Sequence, residues 1–229
     1  MNTIYAQSNT RVQKPALRDP GSAITHFIGV IFAAIGTGPL ILKASGTGDP
    51  VCTASMAIFM VSMILLYSAS TLYHSVTISP KGIKIFRKID HMMIFILIAG
   101  TYTPVCMVSL RDGIGPLMCA IVWGIALAGL IIKACWITCP KWFSSILYIG
   151  MGWVCIMGLT QIIAALPPAG FGWLLAGGII YTVGGIIYAL KLPIFNSKHK
   201  NFGSHEIFHL FVMGGSLCHY IVMFAYVAG

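Results

Sequence analysis

Charge is what this sequence has least of. Only 8% of its 229 residues are Asp, Glu, Lys or Arg, while 58% are hydrophobic; an ordinary soluble domain carries about a quarter charged residues. A water-facing surface cannot be assembled from so few charges, which excludes a soluble enzyme or binding module. Acidic side chains are scarcest, five in all: Asp19, Asp49, Asp90, Asp112 and Glu206. The seven cysteines (52, 106, 119, 135, 139, 155 and 218) fall mostly inside apolar runs, where thiols serve as small hydrophobes, so no disulfide framework is expected. Cys135 and Cys139 stand one helical turn apart near a membrane edge, a spacing able to bind metal, though packing is their expected role. The polar stretch Met1 to Pro20 lacks the apolar segment of a secretory signal, and no cleaved leader is expected. After Lys200 there is no lysine, which excludes a retinal Schiff base in the last apolar segment.

What is present is a series of apolar stretches of about 20 residues, the length needed to cross a bilayer as a helix. Spans are expected near 22–44, 51–76, 88–109, 115–134, 142–166, 170–191 and 203–228. The fold class is therefore an all-α integral membrane bundle of seven transmembrane helices. A short N-terminal segment, residues 1–21, precedes one transmembrane domain, 22–229, with no second domain. Turn residues punctuate the connections: Gly46, Gly48 and Pro50; Pro80 and Gly82; Asp112 and Gly113; Pro167 and Pro168. Span six repeats Gly177-Gly178-Ile179-Ile180-Tyr181 as Gly184-Gly185-Ile186-Ile187-Tyr188. Seven residues is nearly two helical turns, so the glycines share a face for close helix packing. Pro104 removes a backbone bond to Gly100 and is expected to kink span three, as Pro39 is expected to do in span one.

The net charge of +9 does not indicate nucleic acid, because the basic residues are dispersed over loops rather than gathered on one face. Their use is orientation. Alternate segments from the N-terminus hold Arg11, Lys14 and Arg18; Lys81, Lys84, Arg87 and Lys88; Lys133 and Lys141; and Lys191, Lys198 and Lys200, whereas the other side has only Lys43 and Arg111. Cytosolic loops retain Lys and Arg, so the N-terminus is expected in the cytosol and the C-terminus outside.

On that topology five of the seven histidines lie toward the cytosolic leaflet: His26, His74, His91, His205 and His209. His219 lies deeper in span seven and His199 in a basic loop. Ionisable groups in a span are costly and call for a partner or a purpose. Ser70 and His74 are one turn apart on span two, and His205 and His209 repeat that geometry on span seven. A histidine pair at this spacing can grip one ion, and a third histidine from another helix completes a three-nitrogen site with a position left for water, the form of a catalytic rather than structural zinc site. Asp90, at the same depth, would hydrogen-bond that water or add a further ligand. For His26, His91 and His219 taken singly, the expected role is the commoner one of reaching the interface or bonding a carbonyl. His205-Glu206-Ile207-Phe208-His209 also matches the H-E-x-x-H string of zinc proteases, which would make Glu206 a base at the rim, although neighbours on a helix point about 100° apart.

At these residues the chain resembles the bacterial hemolysin III proteins, relatives of the progestin and adipoQ receptors and of the alkaline ceramidases. The resemblance rests on Arg18-Asp19-Pro20 with Ala23-Ile24-Thr25-His26, on Ser70-Thr71-Leu72-Tyr73-His74, on Arg87-Lys88-Ile89-Asp90-His91 leading to Ala99-Gly100-Thr101-Tyr102-Thr103-Pro104, and on His205 to His209 with Gly215-Ser216 and His219. It covers nearly the whole chain. It implies a multi-pass protein of the bacterial cell membrane, with one zinc per chain on His74, His205 and His209, Asp90 acting through the bound water and Ser70 beside it. Asp19 and Ser22 stand where family members often have Glu and Asn.

The function expected from these readings is a zinc-dependent hydrolase of a lipid amide or ester. It would work from the cytosolic leaflet of the bilayer on a membrane lipid or fatty-acyl substrate, with Asp90 and Ser70 as catalytic residues. Two other readings stand beside it: a pore-forming, cytolytic protein, against which the lack of a polar stripe along any span counts, and a sensor of membrane lipid state stabilised by zinc. The oligomeric state is not fixed by the sequence.

Overall fold

A computed structural model describes residues 17–190 and 202–229. Among them seven helices are long and apolar enough to cross a membrane: Pro20–Gly46, Pro50–Ser75, Pro80–Ser109, Gly115–Cys135, Lys141–Ala165, Pro168–Leu190 and Ser204–Val227, referred to as spans one to seven. No strand occurs among the described residues. Arg11, Lys14, Lys191, Lys198, His199 and Lys200 lie outside them.

Six of the seven spans fall close to the apolar windows of the sequence. Span three differs, beginning at Pro80 rather than near residue 88. A hydropathy window stops where charge begins, but Lys81, Lys84, Arg87 and Lys88 are good helix formers, and the helix starts where its cap is. Ser79 is that cap, accepting from the Gly82 amide at 3.3 Å, and Pro80 occupies the first turn, where its missing N–H costs nothing. At the far end Pro104 is followed at once by a π turn over Val105–Ser109, so the break in backbone bonding is absorbed there. A second π turn, Met223–Val227, ends span seven, and span five tightens to a 3-10 segment over Trp153–Gly158. Between spans one and two the chain reverses through Gly48 at φ 72°, a conformation that favours glycine; Asp49 then caps span two by accepting from the Val51 amide at 2.9 Å.

Consecutive spans pack on one another, and span seven returns to span one to close the bundle. Spans two and three are its centre, with half of their apolar windows buried against 17% for spans five and six. Lipid must cover what protein does not: Phe32, Ile35 and Leu42 of span one are 67%, 67% and 74% exposed. Of the repeated glycines of span six, only the first of each pair faces span seven, while Gly178 meets open space. A Cβ on Gly177 would lie 2.9 Å from the His219 imidazole, and one on Gly184 would lie 2.7 Å from the Cβ of Phe211, both on span seven. Gly185, the second glycine of the later repeat, faces Ile149 of span five instead.

Arg18, Lys84, Arg87, Lys88, Lys133 and Lys141 gather at one end of the bundle, hereafter the basic end. Lys133, counted with loop charges in the sequence, proves to be 1% exposed inside the end of span four, its ammonium bonded to Ser144 Oγ and to Cys139 Sγ. That also settles the Cys135–Cys139 spacing: Cys135 is exposed, and the Cys139 thiol serves Lys133 instead. Burial works to raise the Cys139 thiol, but Ser144 and Lys133 outweigh it and hold its pKa below the ordinary value. The two cations at the opposite end are both tied down. Lys43 donates to the Phe224 carbonyl at 2.6 Å, and Arg111 pairs with Asp49, joining the connection after span one to the end of span three.

Candidate metal centre

Three of the singled-out residues converge. One ligand atom each of His74, His205 and His209 lies within 4.8 Å of the others. The ring pairs are 5.0 Å (His74–His205), 5.3 Å (His74–His209) and 4.5 Å (His205–His209) between centroids. The pairing within span seven follows from helical geometry alone, since residues four apart stack on one face. Bringing in His74 needs tertiary packing, because 131 residues separate it from His205.

One pair already has the separation that a shared tetrahedral ion requires. His74 Nε2 and His205 Nε2 are 3.1 Å apart, and two nitrogens at zinc bonding distance, about 2.0–2.1 Å, would be separated by about 3.3 Å. The other nitrogens of two of these rings are held from behind. His74 Nδ1 meets Asp19 Oδ2 at 3.0 Å, and His209 Nδ1 meets Thr25 Oγ1 at 3.2 Å. A carboxylate accepting from Nδ1–H fixes the tautomer and leaves the Nε2 lone pair for a cation, the usual support of a metal-bound histidine.

The first span was the part of the site that sequence left unassigned, and it supplies this support. Asp19 is also held by Arg18, whose Nε donates to Oδ2 at 3.0 Å while the guanidinium lies 4.1 Å over the Tyr73 ring. Burial works to raise the Asp19 carboxyl, but the bonds from His74 and Arg18 outweigh it and leave its pKa lowered. The contribution of this contact is thus fully present above the ordinary carboxylate range, about 4, and is lost as pH falls through the lowered value. Replacing Asp19 by Asn keeps the shape but removes the charge, and metal affinity is expected to fall about 10- to 100-fold, as measured by competition with a graded chelator.

His26 contributes by stacking. Its ring lies 3.6 Å from that of His209 and within 7° of parallel, walling His209 in from span one. It is 3% exposed, and neither of its ring nitrogens has a partner, so it does not follow the interfacial role expected of it. His91 does follow it: its Nδ1 bonds the Arg87 carbonyl at 2.9 Å and its Nε2 meets Tyr188 Oη at 3.3 Å. Both carboxylate oxygens of Glu206 are engaged in holding the fold. One carboxylate oxygen accepts from Ser22 Oγ and the other from the Gly203 amide at 2.8 Å, which anchors the start of span seven to span one. Ser22 was legible in sequence only as a departure from a family pattern; the contact that explains it spans 184 residues.

Beside the three histidines stand Asp90 and Ser70. Asp90 is 7% exposed and lies 3.4 Å from His91 Nδ1, outside the group of three ligand atoms. Ser70 is 1% exposed, and its Oγ has no hydrogen-bond partner. A buried polar atom left unpaired costs about 1–3 kcal/mol, so this hydroxyl is open to a partner from the cavity that its residue lines. Both line a cavity of about 400 Å³ that also touches His26, His205 and His209. From the histidines the cavity continues into the bundle between apolar side chains of spans two to seven, among them Leu66, Leu97, Ile162, Phe171 and Leu174. One end of it is therefore polar and most of the remainder hydrocarbon-like.

Comparison with known proteins identifies the family. The profile of the family described as Haemolysin-III related matches residues 16–220. The chain is 38% identical to Hemolysin-3 of Bacillus cereus, over 95% of each chain, and 39% identical to a Hemolysin-3 homolog of Bacillus subtilis, over 90% of this chain and 92% of the relative. It is more distantly similar, at 24% identity, to an adiponectin receptor protein of Drosophila melanogaster, over 88% of this chain and 49% of the receptor. These matches run through every span that carries the site, and the chain belongs to the Haemolysin-III related family of multi-pass cell-membrane proteins.

Proposed function

We propose that the chain is a zinc-dependent hydrolase of lipid amides or esters, working at the basic, cytosolic end of the bundle. The observation that carries this reading is the continuity of the three-histidine cluster, Asp90 and Ser70 with an apolar cavity large enough for an acyl chain. When bound, the ion would polarise the scissile carbonyl and lower the pKa of a coordinated water to about 7. His74, His205 and His209 would hold it, with Asp19 and Thr25 keeping two of the rings in place. Asp90 accepts the proton from the attacking water and returns it to the leaving group. Ser70 Oγ, free of other bonds, donates to the carbonyl oxygen as negative charge develops there. The cavity walls exclude bulk water and align the acyl chain.

The name Hemolysin-3, carried by a relative, describes membrane lysis for that protein. A single experiment separates the two activities. The protein is reconstituted in liposomes of mixed ceramides and phospholipids that enclose a dye, with and without a chelator. Free fatty acid without dye leakage, abolished by the chelator, is the expected result. Dye release without any lipid product would defeat the hydrolase and favour a pore.

A further inference from the structure

Resting on that reading, we infer that the cavity contains a second polar subsite, His219, which selects acyl chains bearing a hydrogen-bonding group in mid-chain. The cavity-lining residues that carry an unpaired buried polar atom are not spread evenly. His26, Ser70, Ser145 and His205 lie near the basic ends of spans one, two, five and seven, around the metal centre. The remaining one is His219, through its Nδ1. Ten residues beyond His209 on the same helix, it stands about 15 Å further into the bundle.

The surroundings of His219 are built to hold the ring and yet leave its Nδ1 unbonded. Span six comes close enough that a Cβ on Gly177 would lie 2.9 Å from Nε2, so the glycine makes room for the imidazole. Tyr181 covers one face of the ring at 5.3 Å between centroids. The polar groups that could have satisfied His219 are used elsewhere. Tyr67 Oη donates to Ser216 Oγ at 2.7 Å, and Tyr181 Oη meets the same hydroxyl at 2.9 Å. Thr182 Oγ1 accepts from Trp153 Nε1 at 3.0 Å and donates to the Gly178 carbonyl at 2.7 Å. Packing alone would place a leucine or phenylalanine at this depth. A neutral imidazole offers one donor and one acceptor, and burying its Nδ1 unpaired is unfavourable unless a ligand completes it.

The distance sets the chemistry of that ligand. With carbon–carbon bonds of about 1.5 Å at about 111°, an extended chain advances about 1.25 Å per carbon, so the depth of His219 corresponds to about the twelfth carbon from a carbonyl held at the metal. The preferred acyl group is one with a hydroxyl or keto oxygen near that carbon and an unsubstituted chain on either side.

Binding, rather than turnover, tests this without requiring that the reaction be known. Octadecanoic acid and its derivatives carrying a hydroxyl on the second or on the twelfth carbon compete with a fluorescent fatty acid for zinc-loaded, detergent-solubilised protein. The twelfth-carbon derivative is expected to bind about tenfold more tightly than the unsubstituted acid. His219→Leu and His219→Phe should abolish that preference while retaining octadecanoic acid, and His219→Gln, which keeps a donor and an acceptor, should preserve part of it. Any preference for the second-carbon derivative should be unaffected by all three. Equal affinities for the plain and twelfth-carbon acids in the wild type, or a preference that survives in both His219→Leu and His219→Phe, would overturn the subsite and leave the hydrolase standing. Failure of every acid to compete would remove the acyl cavity itself, and both readings with it.

Discussion

Purified protein is expected to hold about one zinc per chain, and alanine at His74, His205 or His209 is expected to strip most of it. Each substitution removes one of only three nitrogen donors, and two histidines are too few to compete with buffer and solvent for the ion. The loss should be equal in kind but not in consequence for the fold. His209 is 2% exposed and stacked on His26, so its removal also opens a cavity. His205→Ala is the cleaner test, because that ring is only partly buried. His91→Ala is the control, since His91 is spent on the Arg87 carbonyl and Tyr188. Elemental analysis of the purified variants reads the result, and unchanged metal in all three ligand variants would dissolve the centre into ordinary buried histidines.

Asp90→Asn should produce the largest loss of activity with the least structural change. The amide has almost the volume of the carboxylate but cannot accept the proton, and general-base catalysis contributes about a hundredfold to ten-thousandfold. Asp90 is outside the three-ligand group, so its replacement should leave most of the metal in place. In the liposome assay the variant should bind zinc, retain the dye and release no fatty acid. Turnover at the wild-type rate would take Asp90 out of the reaction. Complete loss of metal would make it a ligand and shift the role of base to another group.

These expectations could be framed from the sequence because the information they use is local. Apolar windows marked the spans, and a four-residue spacing marked the faces carrying Ser70 with His74 and His205 with His209. Where sequence reading failed, the deciding contact was remote or the composition pulled the wrong way. Lys133 reads as a loop charge until Ser144 and Cys139 close around it. Glu206 reads as a protease-like base until Ser22 and the Gly203 amide take its oxygens. Asp19 has no periodicity to announce it, because its partner His74 is 55 residues away. His26 and His91 look alike in sequence, as each opens a span at one depth; only packing separates the ring that stacks on His209 from the one that bonds a carbonyl.

Span three reaches farther than a bilayer requires. Its 30 residues make a rod of about 45 Å, against a hydrocarbon thickness of about 30 Å. The excess has to stand among headgroups, and its first two turns, from Pro80, carry Lys81, Lys84 and Arg87, with Lys88 following. Each such cation near an anionic surface contributes about 1 kcal/mol of attraction. The ring of lipids touching this end is therefore expected to be enriched in anionic headgroups, and on the hydrolase reading the local supply of candidate substrates would differ from the average composition of the membrane.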